Sequence, residues 1–207
     1  MRIGIVTDIH DETARLAAAL DALRAREVDM VVSLGDTSDL HGSWQDVGGV
    51  ADLLERHKVI GVWGNHDYGL CRDVSDEARS RFPAAALAYM STMRGWLDVG
   101  GCHFSHVEPW LDPEKVEDLW CFEGRPEDPD RLAQTFAAVP HRACFMGHVH
   151  RWLAATEAGP LEWRGDRPLE LDRHRRYLIA VAPVFDGAYA IVDTDRGIVF
   201  PHTLATC

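Results

Sequence analysis

The chain has 207 residues, enough to bury one sizeable core and too few for two comfortable domains. Hydrophobic residues make up 46% and charged residues 26%, a globular balance that excludes a disordered or fibrous chain. Lys+Arg number 21 against 33 Asp+Glu, so the formal net charge of -12 sets nucleic acid aside as a partner. The same acidic excess, beside 11 His, suits a protein whose carboxylates hold cations. The five cysteines (Cys71, Cys102, Cys121, Cys144 and Cys207) are odd in number, scattered and free of any C-x-x-C pair, which argues against a disulfide framework or a zinc knuckle. No apolar run reaches the ~18 residues that a bilayer requires, so no membrane association is expected. The N-terminus lacks the long apolar region of a signal peptide, and the expected location is cytoplasmic.

The first apolar run, 3–6, reads as a strand, followed by a helix over about 11–26 with Leu16, Leu20 and Leu23 at helical spacing. Asp11 and Glu12 stand where carboxylates favour a helix N-terminus. A strand over 30–32 runs into Ser33-Leu34-Gly35-Asp36, a helix spans 50–56, and a strand over 59–62 ends at Gly64-Asn65-His66-Asp67. Strands alternating with helices predict parallel pairing and an α/β core. A further helix is expected over 84–93, then two short strands, 97–99 and 102–105, around Gly100-Gly101. Residues 107–129 form a Pro- and acid-rich stretch carrying Trp110 and Trp120, read as a possible lid inserted into a single domain spanning 1–207. A helix over 131–139 and a strand over 143–146 lead to Gly147-His148-Val149-His150, and the last third is strand-like at 178–181, 188–192 and 198–200.

The polar residues fall where strands end. Asp8 and His10 follow the first, Asp36 the second, Asn65 and His66 the third, His106 a later one, and His148 and His150 another. The carboxyl ends of strands line the ligand crevice of open α/β sheets, and Asp, Asn and His are the side chains that ligate borderline-hard divalent metals. Asp8 and His10 are two apart, as are His148 and His150, so in extended backbone each pair presents one face to a shared ion. Asp36 is the natural carboxylate to bridge two cations. His103 and His106 have odd spacing, which puts them on opposite faces, and the strand-end position selects His106 for the crevice.

Asp8-Ile9-His10, Gly35-Asp36, Gly64-Asn65-His66-Asp67, His106 and Gly147-His148-Val149-His150 together resemble the five ordered blocks of the calcineurin-like metallophosphoesterases. The resemblance implies a four-layer α/β/β/α sandwich, mixed sheets flanked by helices, with two divalent or trivalent metal ions (Mn, Fe, Zn, Co or Ni) at the strand ends. It implies that Asp8, His10, Asp36 and His150 hold one ion, and that Asp36, Asn65, His106 and His148 hold the other. The implied reaction is hydrolysis of a small phosphomonoester or phosphodiester by a hydroxide bridging the metals, with His66 protonating the leaving oxygen and Asp39 orienting His66. The alternatives are a dinucleoside-polyphosphate hydrolase, a protein phosphatase, or a catalytically silent scaffold of the same fold. Leu40 stands where protein-phosphatase relatives carry a phosphate-gripping Arg, and Asp67 where they carry Glu; both differences weigh against a protein phosphatase. Arg151, beside His150, or Arg72 is the candidate replacement cation, and His41 a candidate substrate contact.

Other residues have plainer readings. His57, His141, His174 and His202 read as surface or loop residues, and Trp44, Trp63, Trp96, Trp152 and Trp163 as packing residues. Trp110 and Trp120 either cap the small core of the 107–129 segment or stack on an aromatic group of the substrate.

Overall fold

The computed structural model describes residues 1–39 and 46–205, so Leu40, His41, Trp44 and Cys207 lie outside the described residues. The chain opens with strand β1 (Arg2–Val6), helix α1 (Thr13–Ala25), β2 (Met30–Ser33), α2 (Val47–Arg56) and β3 (Ile60–Gly61). Three short helices follow: α3 (Tyr68–Cys71), α4 (Asp76–Arg81) and α5 (Ala84–Met90). Next come β4 (Trp96–Val99), β5 (Cys102–Ser105), α6 (Val116–Leu119), α7 (Pro129–Ala138) and β6 (Ala143–Met146). The chain closes with β7 (Leu153–Thr156), β8 (Gly159–Pro160), β9 (Leu169–Glu170), β10 (Tyr177–Ala180), β11 (Ala188–Asp193) and β12 (Ile198–Thr203).

Among the described residues these strands form two mixed sheets, ordered β3-β2-β1-β11-β12-β9 and β4-β5-β6-β10-β7-β8. β1, β2 and β3 pair in parallel through helical crossovers, as the alternating pattern predicts, and β11 and β12 add antiparallel strands to the same sheet. Strand alternation splits the core into layers. Ile3, Ile5, Val32 and Leu34 face the second sheet, meeting Phe104, Phe145 and Ile179 in a fully buried layer between the sheets. Val6 and Val31 face outward and pack beneath Leu16, Leu20 and Leu23 of α1 and Val50 and Leu54 of α2. On the far side, Leu132 and Phe136 of α7 cover Cys144, Met146, Leu178 and Ala180 of the second sheet. Helix, sheet, sheet, helix is the resulting order, as the resemblance implied.

The Gly100-Gly101 turn has both residues at positive φ, +59° and +76°, which lets β4 and β5 pair tightly with Asp98 opposite His103. Several short elements had no periodic signature and were not expected: α3, α4, α6, β7, β8 and β9. Trp96 corrects the packing assignment, since it is 53% exposed at the start of an edge strand. Asp11 and Glu12 stand at the N-terminus of α1 as expected, Glu12 as its N-cap, but neither lies within the first turn, and the Asp11 carboxylate accepts from the backbone N–H of Asp39 at 2.9 Å.

Candidate metal centre

Five strand ends converge on one point. Asp8 and His10 follow β1, Asp36 follows β2, Asn65 follows β3, His106 follows β5, and His148 and His150 follow β6. The backbone there is not extended. Asp8, His10, Asp36, His148 and His150 all lie in the left-handed region, with φ of 49°, 47°, 49°, 66° and 51°. This corrects the extended-backbone reading of the two-residue spacing: Asp8 and His10 fall in one group of donors, His148 and His150 in different ones, and each left-handed residue costs about 1–3 kcal/mol of backbone strain. Hydrogen bonds between the turns hold the shape. Asp8 N donates to Gly35 O at 3.0 Å, Ile9 N and His10 N donate to Asp36 O at 2.7 and 3.1 Å, and Gly147 N donates to His106 O at 3.1 Å.

Two groups of donor atoms result, sharing Asp36: Asp8, His10, Asp36 and His150 in one, Asp36, His106 and His148 in the other. His150 Nε2 stands 3.3 Å from Asp8 Oδ1, and His10 Nε2 stands 3.8 Å from Asp36 Oδ2. In the second group, His106 Nε2 lies 3.3 Å from Asp36 Oδ2, 2.9 Å from Asn65 Oδ1 and 3.2 Å from His148 Nδ1. His148 Nδ1 lies 3.0 Å from the same Asn65 oxygen. Asp8, Asp36, Asn65, His106 and His148 are all buried. Two imidazole nitrogens, an amide oxygen and a carboxylate oxygen so packed need a positive charge among them. Burial alone would lower the His106 pKa, but the Asp36 charge and hydrogen bond outweigh it and push it up to about 9. Burial would raise Asp36, yet the charge of His106 holds its carboxyl well below the usual range. His148, which burial and then His106 push down to about 4, is neutral and offers lone pairs. His10, lowered by burial, keeps a buried Nε2 without a hydrogen-bond partner among the described residues. An orphaned ring nitrogen facing a carboxylate, in a nest of oxygen and imidazole donors, fits divalent cations.

The supporting shell is equally specific. Thr7 Oγ1 donates to Asp8 Oδ2 at 2.7 Å, His148 N donates to the same carboxylate, and His66 N donates to Asp36 Oδ1 at 2.9 Å. A Cβ on Gly64 would collide with Asp36 Oδ1 and stand 2.6 Å from Asp36 N, so only glycine lets the Asn65 turn approach so closely. Asp67, noted in the sequence only for not being Glu, is fully buried and accepts from Thr37 N, Thr37 Oγ1, Ser38 N and Gly64 N, riveting the Asp36 turn to the Asn65 turn. Burial first, then the nearby Asp36 charge, raise its pKa.

His66 Nδ1 stands 3.1 Å from Asp39 Oδ1, and its ring packs edge-on to that of His10 at 4.9 Å. Arg151 comes near but is engaged, its Nη2 2.8 Å from both oxygens of Glu127. Arg72 is not brought to the cluster; it pairs with Glu114 at 3.2 Å and lies over Trp63. Aromatic walls were not anticipated in full. Phe122, 65% exposed, stacks on His148 at 4.6 Å, Trp120 tilts against His66 at 5.1 Å, and Phe185 packs edge-on to His10 and His150. Trp110, by contrast, packs against the core beneath the Arg131 guanidinium. A pair of aromatics two apart in an acidic loop was the signal available for Phe122.

Comparison with known proteins agrees with this geometry. The family model described as the calcineurin-like phosphoesterase superfamily domain matches residues 1–162. An uncharacterized protein of Methanocaldococcus jannaschii is 25% identical over 193 residues, covering 86% of this chain and 73% of its own. The crystal structure of a metallophosphoesterase from Sphaerobacter thermophilus superposes with a TM-score of 0.76 at 24% identity, covering 99% of this chain and 89% of that one. An archaeal phosphodiesterase shares the fold at a TM-score of 0.55 and 15% identity, covering 99% of this chain and all of that one (100%). The chain belongs to the calcineurin-like phosphoesterase superfamily.

Proposed function

We propose that this protein hydrolyses a small phosphomonoester or phosphodiester at a two-metal centre. One ion would be held by Asp8, His10, Asp36 and His150, the other by Asp36, Asn65, His106 and His148. The observation that carries the reading is the Asp36 carboxylate, common to both groups of donors. Divalent cations bound there supply Lewis acidity toward phosphoryl oxygens and lower the pKa of coordinated water.

The chain's own residues supply the rest. His66 stands at the rim with Nδ1 against Asp39, and its ring supplies the proton that the departing oxygen needs. Asp39 fixes the tautomer and orientation of the ring. Residues 107–129 act as a lid, bringing Trp120 and Phe122 over the centre to exclude water and pack an apolar part of the substrate. The exposed faces of these two rings favour a second reading as well, a nucleotide substrate whose base stacks there.

Turnover of p-nitrophenyl phosphate and of an alkyl phosphate, with Mn, Fe, Co, Ni and Zn each supplied, tests the proposal. His66→Ala should lower turnover of the alkyl ester about 100-fold and that of the nitrophenyl ester far less, because nitrophenolate leaves without a proton. Metal content should stay unchanged. Absence of hydrolysis with every metal, for these esters and for a nucleotide panel, overturns the enzyme reading.

A further inference from the structure

A second constellation of ligating side chains lies away from the strand-end centre. Asp98 on β4 and His103 on β5 are direct cross-strand partners, and both project from the outer face of the second sheet, opposite to the buried Cys102 and Phe104. His141 precedes β6, two residues before Ala143, which pairs with Cys102 of β5. Three neighbouring segments therefore deliver one ligand each. His103 Nδ1 stands 2.7 Å from Asp98 Oδ1, and His141 Nε2 stands 3.5 Å from that same oxygen. The two imidazole rings are 5.6 Å apart and tilted by 36°, with all three ligand atoms within 4.8 Å of one another. The group opens into a cavity of about 450 Å³ walled by Trp96, Leu111 and Val139.

The Asp98–His103 hydrogen bond by itself would be an ordinary cross-strand pair. His141 changes the reading. It aims a second imidazole nitrogen at an oxygen already engaged, while its own Nδ1 is buried without a partner among the described residues. His103, 4% exposed, has its pKa lowered by burial despite Asp98, so the neutral ring has a lone pair to give. In a tetrahedral zinc site with bonds of about 2.0–2.1 Å, ligand atoms stand roughly 3.4 Å apart; here His141 Nε2 is 3.5 Å from Asp98 Oδ1, and His103 Nδ1, at 2.7 Å, would draw back as its hydrogen bond is exchanged for the metal.

We propose that Asp98, His103 and His141 form a peripheral site for one borderline transition-metal dication, of the zinc, nickel or copper type, pinning the β4–β5 hairpin to the loop before β6. Two imidazoles among three protein ligands select against magnesium and calcium. Asp98 is about half exposed, so water completes the shell on that side. On binding, His103 releases its Nδ1 proton from the hydrogen bond and takes the tautomer with hydrogen on Nε2, with no net change in charge.

Full-length protein stripped by chelation and dialysed against zinc supplies the test, read by elemental mass spectrometry. The wild type should retain one zinc equivalent more than His141→Ala, and Asp98→Asn should need at least about tenfold more zinc to fill that last equivalent. All three proteins share the same strand-end centre, so the difference reads the peripheral site whatever that centre holds. Saturating zinc should raise the thermal midpoint of the wild type above that of zinc-loaded His141→Ala by several degrees more than the gap between the metal-free pair. Equal zinc content in the wild type and His141→Ala overturns the proposal. Both variants lie at exposed or partly exposed positions and leave the buried His103 in place, so folding is not at stake.

Discussion

Arg131→Met would leave Glu108 buried without its counter-charge. The Glu108 side chain is 2% exposed and that of Arg131 13%, and Oε1 of Glu108 accepts from both Nε and Nη2 of Arg131 at 2.6 Å. Arg131 also donates from Nη1 to the carbonyl of Glu123 and lies 5.1 Å over Trp110, so a single side chain on α7 grips the 107–129 segment at three points. Methionine keeps the stem packed against Trp110 and removes only the charge and the donors. Removing one partner of a buried, hydrogen-bonded ion pair costs about 3–5 kcal/mol, a large share of the roughly 5–15 kcal/mol that holds a domain folded. At about 2–4 °C per kcal/mol for a chain of this size, the thermal midpoint should fall by roughly 6–20 °C. Urea titrations at fixed metal concentration measure the loss directly. The paired variant Glu108→Leu/Arg131→Met removes the stranded carboxylate and should recover most of it. A single variant that costs under about 1 kcal/mol, or a double variant no more stable than the single, refutes the reasoning.

Gly64→Ala should lower metal affinity by about 10–100-fold while the sheets stay folded, since the added methyl displaces the Asp36 carboxylate; calorimetric titration with Mn checks it. His202, stacked on Tyr189 at 5.0 Å, has its pKa lowered by burial and then by Arg26 and Arg2. The unfolded chain therefore takes up that proton first, and stability is lost as pH falls through 6.5. His202→Phe keeps the stack and should lose less stability than the wild type between pH 7.5 and 5.5, by urea denaturation at each pH; equal losses exclude His202 as a contributor.

The architecture was legible where the sequence carries period and punctuation. Apolar runs of β length alternating with Leu16, Leu20 and Leu23 at helical spacing announced the parallel β1-β2-β3 unit. Strands of two residues such as β8 and β9 contain too few side chains for any period to register, and they exist because β7 and β12 present free edges to pair with. The site was legible for a different reason: Asp, Asn and His recurring at strand ends is a pattern of type and position, independent of the local conformation. The conformation itself was misjudged. Extended backbone is the default after a strand, and Asp and His tolerate left-handed φ without dictating it; the turns are stabilised by partners 28 and 140 residues away, Asp36 and His148. Long-range closure of this kind also explains why the clamping role of Asp67 was not read from the sequence. Its role lies in accepting three hydrogen bonds from the Asp36 turn and one from Gly64 of its own turn, and a residue acting through such distant donors leaves no periodicity of its own. Strain at the ligands and rivets such as Asp67 belong to one device: the left-handed turns are tolerable only while the Asp36 and Asn65 turns are clamped, so the centre's geometry is set by the meeting of five strand ends rather than by any single motif.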